Sequence, residues 1–286
     1  MVISRIQRLV FFLLIPALLV AAESHQFKQV AHSLTRTDPL GTIQRFLQKN
    51  QSAQHPDTLK IMALRAEFVE DDLATTTGNG KFDLSDTSSY QIDRPPHNRT
   101  YFTHQLLALK NYFKTVSRGN LILEYEVWPG GETDAYQLPE NMVYYSGEED
   151  TTKQQIRWCE LVRDAVTIAD RQDAPDFSAY DVFVVFHAGV GADISFDFDT
   201  TPYDIQSAFV DFETFRETLA DNAPGYQGVA AGDTFVKEAI ILPETQNQEG
   251  QNLGLLGTMT LLMGSQIGMP SLFNTETGRA GVGRWG

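Results

Sequence analysis

Apolar residues follow two different spacings along the chain, and these spacings predict its secondary structure. Short runs with strand-like spacing lie at 59–68, 121–128, 180–187 and 238–243. Apolar positions at helical spacing lie at 102–117 and from 150 or 151 to about 169. Residues 205–219 fit either one helix or a strand followed by a helix. Alternating strands and helices predict an α/β (α+β) domain, with a twisted mixed sheet and packed helices.

A strongly apolar helix is predicted near the end of the chain. Residues 253–268 are apolar on nearly every side, which is typical of a buried helix. Thr258 is a candidate cap at its start, and Gly268 and Pro270 are expected to end it.

This helix and the loop after it resemble the active-site helix of immune inhibitor A-type secreted metallopeptidases. Residues 264–275 read GSQIGMPSLFNT and residues 281–286 read GVGRWG, whereas the family carries H-E-x-G-H-x-L-G-L-P-x-L-Y, then a Gly-rich turn and a Trp-Gly step. Residues 101–121 also resemble a helix-then-strand unit of this family. The resemblance implies a zincin-like fold over 58–286, with the helix under a cleft and 238–243 in the place of the edge strand.

The same resemblance places the family's catalytic positions on residues that lack the necessary chemistry. The first zinc His falls at Leu261, the catalytic Glu at Leu262 and the second zinc His at Ser265; a further ligand would fall at Ser271. Two imidazoles one turn apart must bind one Zn²⁺ while the Glu activates its water. We therefore expect no zinc at this degenerate motif, and a secreted pseudoenzyme that serves as a binding or scaffold module.

Two alternatives to the pseudoenzyme remain open at this point. One is an active zinc metallopeptidase or other hydrolase with an atypical ligand set, such as His187 with carboxylates between Asp193 and Asp204. His187 is expected at the end of a strand, and the competing interpretation of this residue is a structural role. The other is a calcium-stabilised structural segment of a larger surface protein. Closely spaced carboxylates suit Ca²⁺, and the candidate ligands are Asp193, Asp197, Asp199 and Asp204.

The start of the chain indicates export. Arg5 and Arg8 precede an apolar run at 9–19, and small residues follow up to Ala22, so residues 1–22 are predicted to be a signal peptide cleaved near Ala22. Residues 23–57 would form an N-terminal arm or a pro-segment. The expected location is secreted, periplasmic or at the cell surface, with no membrane span after cleavage. Because family members continue beyond the Trp-Gly step, the 58–286 domain is expected to be truncated at its C-terminus.

The charge of the chain excludes one class of binding partner, and its cysteine content excludes an intramolecular disulfide. The 286 residues carry 37 acidic and 22 basic side chains, a net charge of -15. A nucleic-acid surface needs clustered Lys and Arg, so this class of partner is excluded and an extracellular protein or peptide is expected. The single cysteine, Cys159, has no partner for an intramolecular disulfide, and its helical spacing predicts a buried structural thiol.

Overall fold

A computed structural model describes residues 57–147, 151–194 and 200–269 of the chain. The predicted signal peptide, the N-terminal arm up to residue 56 and the loop at 270–286 that carries part of the family resemblance lie outside these residues. In the described part, no helix combines the length and the apolar character needed to cross a membrane.

Eight strands and five α-helices make up the described part of the chain. In chain order they are β1 (Asp57–Glu67), α1 (Arg99–Val116), β2 (Leu121–Trp128), β3 (Tyr136–Gln137), α2 (Met142–Ser146), α3 (Thr151–Gln172), β4 (Val182–Val190), β5 (Ala208–Val210), α4 (Phe212–Ala220), β6 (Val229–Ala231), β7 (Thr234–Val236), β8 (Ala239–Thr245) and α5 (Leu256–Gln266). A short 3₁₀ helix at Phe177–Ala179 precedes β4.

The main sheet is mixed, with the order β2-β1-β4-β8-β5, and β3 pairs with the end of β1. The pairs β2/β1, β1/β4 and β4/β8 are parallel, whereas β5 runs antiparallel to β8 at the edge. Parallel strands need crossover connections, and α1 and α3 provide them. The mixed α/β fold with packed helices is therefore confirmed.

Apolar strands buried on both faces explain why helices cover the sheet on two sides. All nine residues of β4 are buried, which is typical of a central parallel strand. Phe186 packs on Phe102 of α1 with ring centroids 4.7 Å apart, while the next residue, His187, faces Phe68 on the other side at 5.9 Å. Phe68 in turn contacts Tyr145 of α2. The core thus lies in two layers, one on each face of the sheet.

Two expectations about the strands need correction, and one open alternative is resolved. The strand predicted at 238–243 is β8, which lies inside the sheet between β4 and β5, so it is not the edge strand; β5 is. His187 does not end its strand, since β4 continues to Val190. Periodicity could not show either point, because a strand's neighbours depend on the whole topology. Residues 205–219 form a strand followed by a helix, β5 and α4.

The helices agree with the sequence more closely: α3 begins at Thr151 as expected, whereas α1 and α5 begin at residues other than those expected. The helix α1 begins at Arg99 because the Asn98 side chain accepts a hydrogen bond from the Tyr101 amide 3.0 Å away, a typical N-cap. The expected cap at Thr258 is wrong: α5 begins after Leu255 without a side-chain cap. Instead, the Leu255 amide donates to the Asp93 carboxylate at 2.7 Å, so a residue 162 positions away replaces the local cap.

Candidate functional site

The three degenerate motif positions lie on α5 in different surroundings. Leu262 is 4% exposed and belongs to the hydrophobic core, as expected for a packing residue. Leu261 is 36% exposed, so the prediction of a helix buried on nearly every side is wrong for this residue. Ser265 is half-buried, and its Oγ lies 3.5 Å from the Leu261 carbonyl oxygen one turn earlier. Leu261 and Ser265 thus share one helix face, while Leu262 points into the protein.

A cleft with a volume of about 780 Å³ lies at the carboxyl ends of β4 and β8. One wall is the segment 77–97, which we call the strap, and the other is the segment 244–250 after β8. The motif positions on α5 are not among the residues that line this cleft. This cleft is therefore not the one that the resemblance places above the helix. Ligands of open α/β sheets bind outside the carboxyl ends of parallel strands, where this cleft lies.

Glu244 at the end of β8 is the central polar group of the cleft. It is 5% exposed, and its two carboxylate oxygens receive donors from three parts of the chain. Oε1 accepts from the Gly189 amide at 2.7 Å, and Oε2 accepts from the Asp83 amide at 2.9 Å. Nδ1 of His97 lies 2.7 Å from Oε2. The carboxylate therefore connects the strap to both β4 and β8.

A bulge in β4 makes the contact with Gly189 possible. The pairing of β4 with β8 shifts register between His187 and Val190, and Gly189 has φ 90°, a conformation that side chains with a Cβ rarely adopt. A Cβ added at Gly189 would lie 2.8 Å from Sδ of Met142. The glycine thus turns its amide out of the β ladder and towards Glu244, where a larger residue would collide.

His97 is buried with both ring nitrogens facing oxygen atoms. It is 3% exposed; Nδ1 lies 2.7 Å from Glu244 Oε2, and Nε2 lies 3.1 Å from the Asp93 carbonyl. Burial by itself lowers the pKa of His97, but the hydrogen bond and charge of Glu244, then the Asp93 carbonyl and the charge of Asp83, outweigh it and raise this pKa above its ordinary value. When His97 is protonated, it therefore forms a buried ion pair with Glu244.

Further contacts hold the strap at its second end. Asn247, 3% exposed, donates from Nδ2 to the Ile92 backbone carbonyl at 2.5 Å, and the side-chain Oδ1 of Asn252 accepts from the Gln91 amide at 2.5 Å. Asp93 accepts from Gln105 of α1 at 2.6 Å and from Leu255. The strap residues between the two anchored ends, 83–92, are mostly exposed.

His187 lies on the other face of the sheet and has a structural environment. It is fully buried, and its Nδ1 lies 2.9 Å from the Ala188 carbonyl, so Nδ1 carries the proton. Burial lowers the pKa of His187 to about 4, against a smaller opposing effect of that hydrogen bond. In the part of the chain that the structure describes, its contacts include neither Asp193 nor Asp204. The hypothetical hydrolase that joins His187 to these carboxylates is not assembled here.

Two of the four predicted calcium ligands are described, and each is bonded to a different segment. The Asp193 carboxylate accepts from the Ser207 amide at 2.8 Å and the Ser207 hydroxyl at 2.6 Å, and also from Gln246. Burial raises the pKa of Asp193, while these hydrogen bonds oppose the shift. Asp204 is 4% exposed and accepts from the Thr77 amide and hydroxyl at 2.6 and 2.7 Å.

The other two candidate ligands, Asp197 and Asp199, lie outside the described residues, as does Ser271. Among residues 57–147, 151–194 and 200–269, no group of three or more His, Cys, Asp or Glu side chains is arranged to hold a metal ion. Calcium binding by this segment stays a prediction.

Cys159 is fully buried in α3, as predicted, and burial raises the pKa of its thiol to about 12. A thiol of this kind is protonated at neutral pH, and the thiolate is the nucleophilic form. Cys159 therefore packs in the core and does not supply a nucleophile.

Sequence reasoning missed the pair His97 and Glu244. The two residues are 147 positions apart, and neither belongs to a short motif. One signal was present: β8 ends in the polar run ETQNQE at 244–249, whose first two residues belong to the strand, instead of a Gly or Pro turn. Five of these residues, 244–248, are buried, and buried polar runs need partners from elsewhere in the fold.

Comparison with protein-family models gives no match for this chain, and comparison with curated proteins gives none either.

Proposed function

We propose that this chain is an exported metallopeptidase-like domain that is catalytically inactive at its helix motif and serves as a binding module for an extracellular protein or peptide. The observation that carries the proposal is the state of α5: Leu261 is exposed, Leu262 is in the core and Ser265 lies beside the Leu261 carbonyl. Leucine has no lone pair for a metal, and a lone hydroxyl is a poor zinc ligand beside imidazole.

The fold is consistent with this proposal. The mixed sheet with packed helices, and the apolar helix that is the next element after β8, support the resemblance to immune inhibitor A-type metallopeptidases, whereas the position of β8 inside the sheet departs from it. The zincin-like fold is part of the proposal, and so are secretion and the absence of zinc at α5.

The binding role rests on the cleft at the carboxyl ends of β4 and β8, which the motif positions do not line. Its volume of about 780 Å³ is in the range of ligand pockets, and its walls combine apolar side chains such as Phe82 and Val190 with polar ones such as Asn247 and Gln248. His97 and Glu244 hold the walls together but direct their polar atoms at each other and at the backbone. The cleft therefore offers a shaped surface for binding without an available acid or base from this pair.

A peptide selection with matched variants tests the binding role. The mature protein is immobilised and used to select from a random peptide library, and the affinities of the selected peptides are then measured. Ser88 lines the cleft, whereas Ser85 lies on the exposed part of the same strap and does not. Ser88→Trp should fill the cleft and weaken binding at least tenfold, and Ser85→Trp should leave it unchanged. Failure to select any binder, or equal binding by both variants, would contradict the role of the cleft.

A further inference from the structure

We propose that His97 and Glu244 form a pH-sensitive latch that holds the strap 77–97 against β8 in acid and releases this wall of the cleft as the pH rises. Its effect on ligand access rests on the proposed binding function, whereas the movement of the strap does not.

The geometry around the His97 ring suits a doubly protonated imidazole opposite an ionised Glu244. Nδ1 faces a carboxylate oxygen of Glu244 at 2.7 Å, and Nε2 faces the carbonyl oxygen of Asp93 at 3.1 Å. Both partners are acceptors, and a neutral imidazole has only one N–H donor. Loss of a proton therefore leaves one ring nitrogen facing an oxygen with no hydrogen between them, and it removes the charge that opposes Glu244.

Both ends of the exposed part of the strap depend on this contact. At the first end, the Asp83 amide donates to the same Glu244 oxygen that His97 contacts. At the second end, His97 itself is held, and its backbone amide donates to the Asp83 carbonyl at 2.7 Å. The strap is thus a loop closed at its base by His97, Asp83 and Glu244, and weakening the His97–Glu244 contact loosens this base while Asn247 still holds Ile92.

The groups around His97 come from three elements. Glu244 belongs to β8, Asp83 and Asp93 to the strap, and Tyr101 to α1, where its ring centroid lies 4.4 Å from that of His97. The Tyr101 hydroxyl donates to the Glu244 carbonyl at 2.7 Å, and burial raises the pKa of Tyr101 well above its ordinary value, so this group stays neutral. Glu244 accepts two backbone amides in addition to His97, which the ionised carboxylate does best.

Hydrogen exchange of the intact mature protein, measured from about pH 5 to about pH 9, tests the latch around the ordinary range of histidine titration. Exchange of strap residues 83–97 is divided by the intrinsic rate at each pH, with the buried helix α1 as an internal reference. A charge-assisted hydrogen bond changes an opening equilibrium by about tenfold or more. Strap protection should fall by that factor as the pH rises through the titration of His97, while α1 does not change.

Two variants separate the latch from general effects of pH. His97→Gln should make strap protection independent of pH, and His104→Gln, which changes an exposed histidine on α1, should behave as the unmodified protein. Should His97→Gln fail to fold, nitrogen chemical shifts of the His97 ring in the unmodified protein provide the second measurement, since both nitrogens should be protonated in acid.

Constant strap protection across the titration of His97, or a neutral His97 ring at the acid end, would overturn the latch. Neither measurement uses a ligand, so these results would leave the proposed binding function standing. Conversely, a failed peptide selection would leave the exchange result unaffected.

Discussion

Replacement of Glu244 by alanine should destabilise the protein more than any other single change at the cleft. The carboxylate is the acceptor for the Asp83 and Gly189 amides and the counterion of His97, all within 2.9 Å. Removing one partner of a buried ion pair costs about 3–5 kcal/mol, and each unsatisfied buried amide costs about 1–3 kcal/mol. These contributions overlap, because the freed groups relax and admit water, so we expect a total of about 4 kcal/mol.

Urea unfolding measures this cost. With a slope near the upper end for single domains, about 3 kcal/mol per M, the midpoint for Glu244→Ala should fall by about 1–2 M. Glu249→Ala is the matched control, since Glu249 is an exposed carboxylate on the same segment, bonded to the Thr200 hydroxyl at 3.1 Å. Its midpoint should change little. A loss below about 1 kcal/mol for Glu244→Ala, equal to that of the control, would refute the central role assigned to this carboxylate.

Three further predictions follow from the described contacts. The pKa of His97 is raised in the folded protein, so its protonation stabilises the fold fully below the unfolded pKa. This stability is lost as the pH rises through the folded pKa. The unfolding free energy measured across this pH range should show the loss in the unmodified protein and not in His97→Gln. Leu262→Ala should cost about 2–5 kcal/mol in chemical unfolding, whereas Leu261→Ala on the exposed face should cost less than about 1 kcal/mol, and equal losses would contradict the burial of α5. Calcium at millimolar concentration should raise the melting temperature if Asp193 and Asp204 belong to a cation site with the segment between them, and an unchanged temperature with calcium and with chelator would count against it.

Local patterns predicted the elements of this fold better than their arrangement. The strand 121–128 was predicted with the bounds that it has, and β4 was recognised from its continuous apolar run. Such patterns depend only on neighbours in sequence. The position of β8 inside the sheet and the antiparallel edge strand β5 depend on which strands pair, and the side-chain period contains no such information.

The polar site was harder to predict, for a related reason. Glu244 and His97 are joined across 147 positions, and the Asp93 carboxylate replaces a local cap at Leu255. A carboxylate in a sequence has the same appearance whether it is solvated or buried, and only the assembled fold shows which donors reach it. His187 illustrates the opposite case: the sequence left a catalytic and a structural role open, and the fully buried ring beside the Ala188 carbonyl has a structural environment.

The zinc content of the purified mature protein tests the pseudoenzyme proposal most directly. Elemental analysis should find far less than one zinc per chain, and the protein should show no chelator-sensitive peptidase activity, because Leu261, Leu262 and Ser265 cannot supply two imidazoles and a general base. The variant with Leu261→His, Leu262→Glu and Ser265→His should gain zinc affinity at some cost in stability. One zinc per chain in the unmodified protein, together with proteolysis that a chelator stops, would contradict the account.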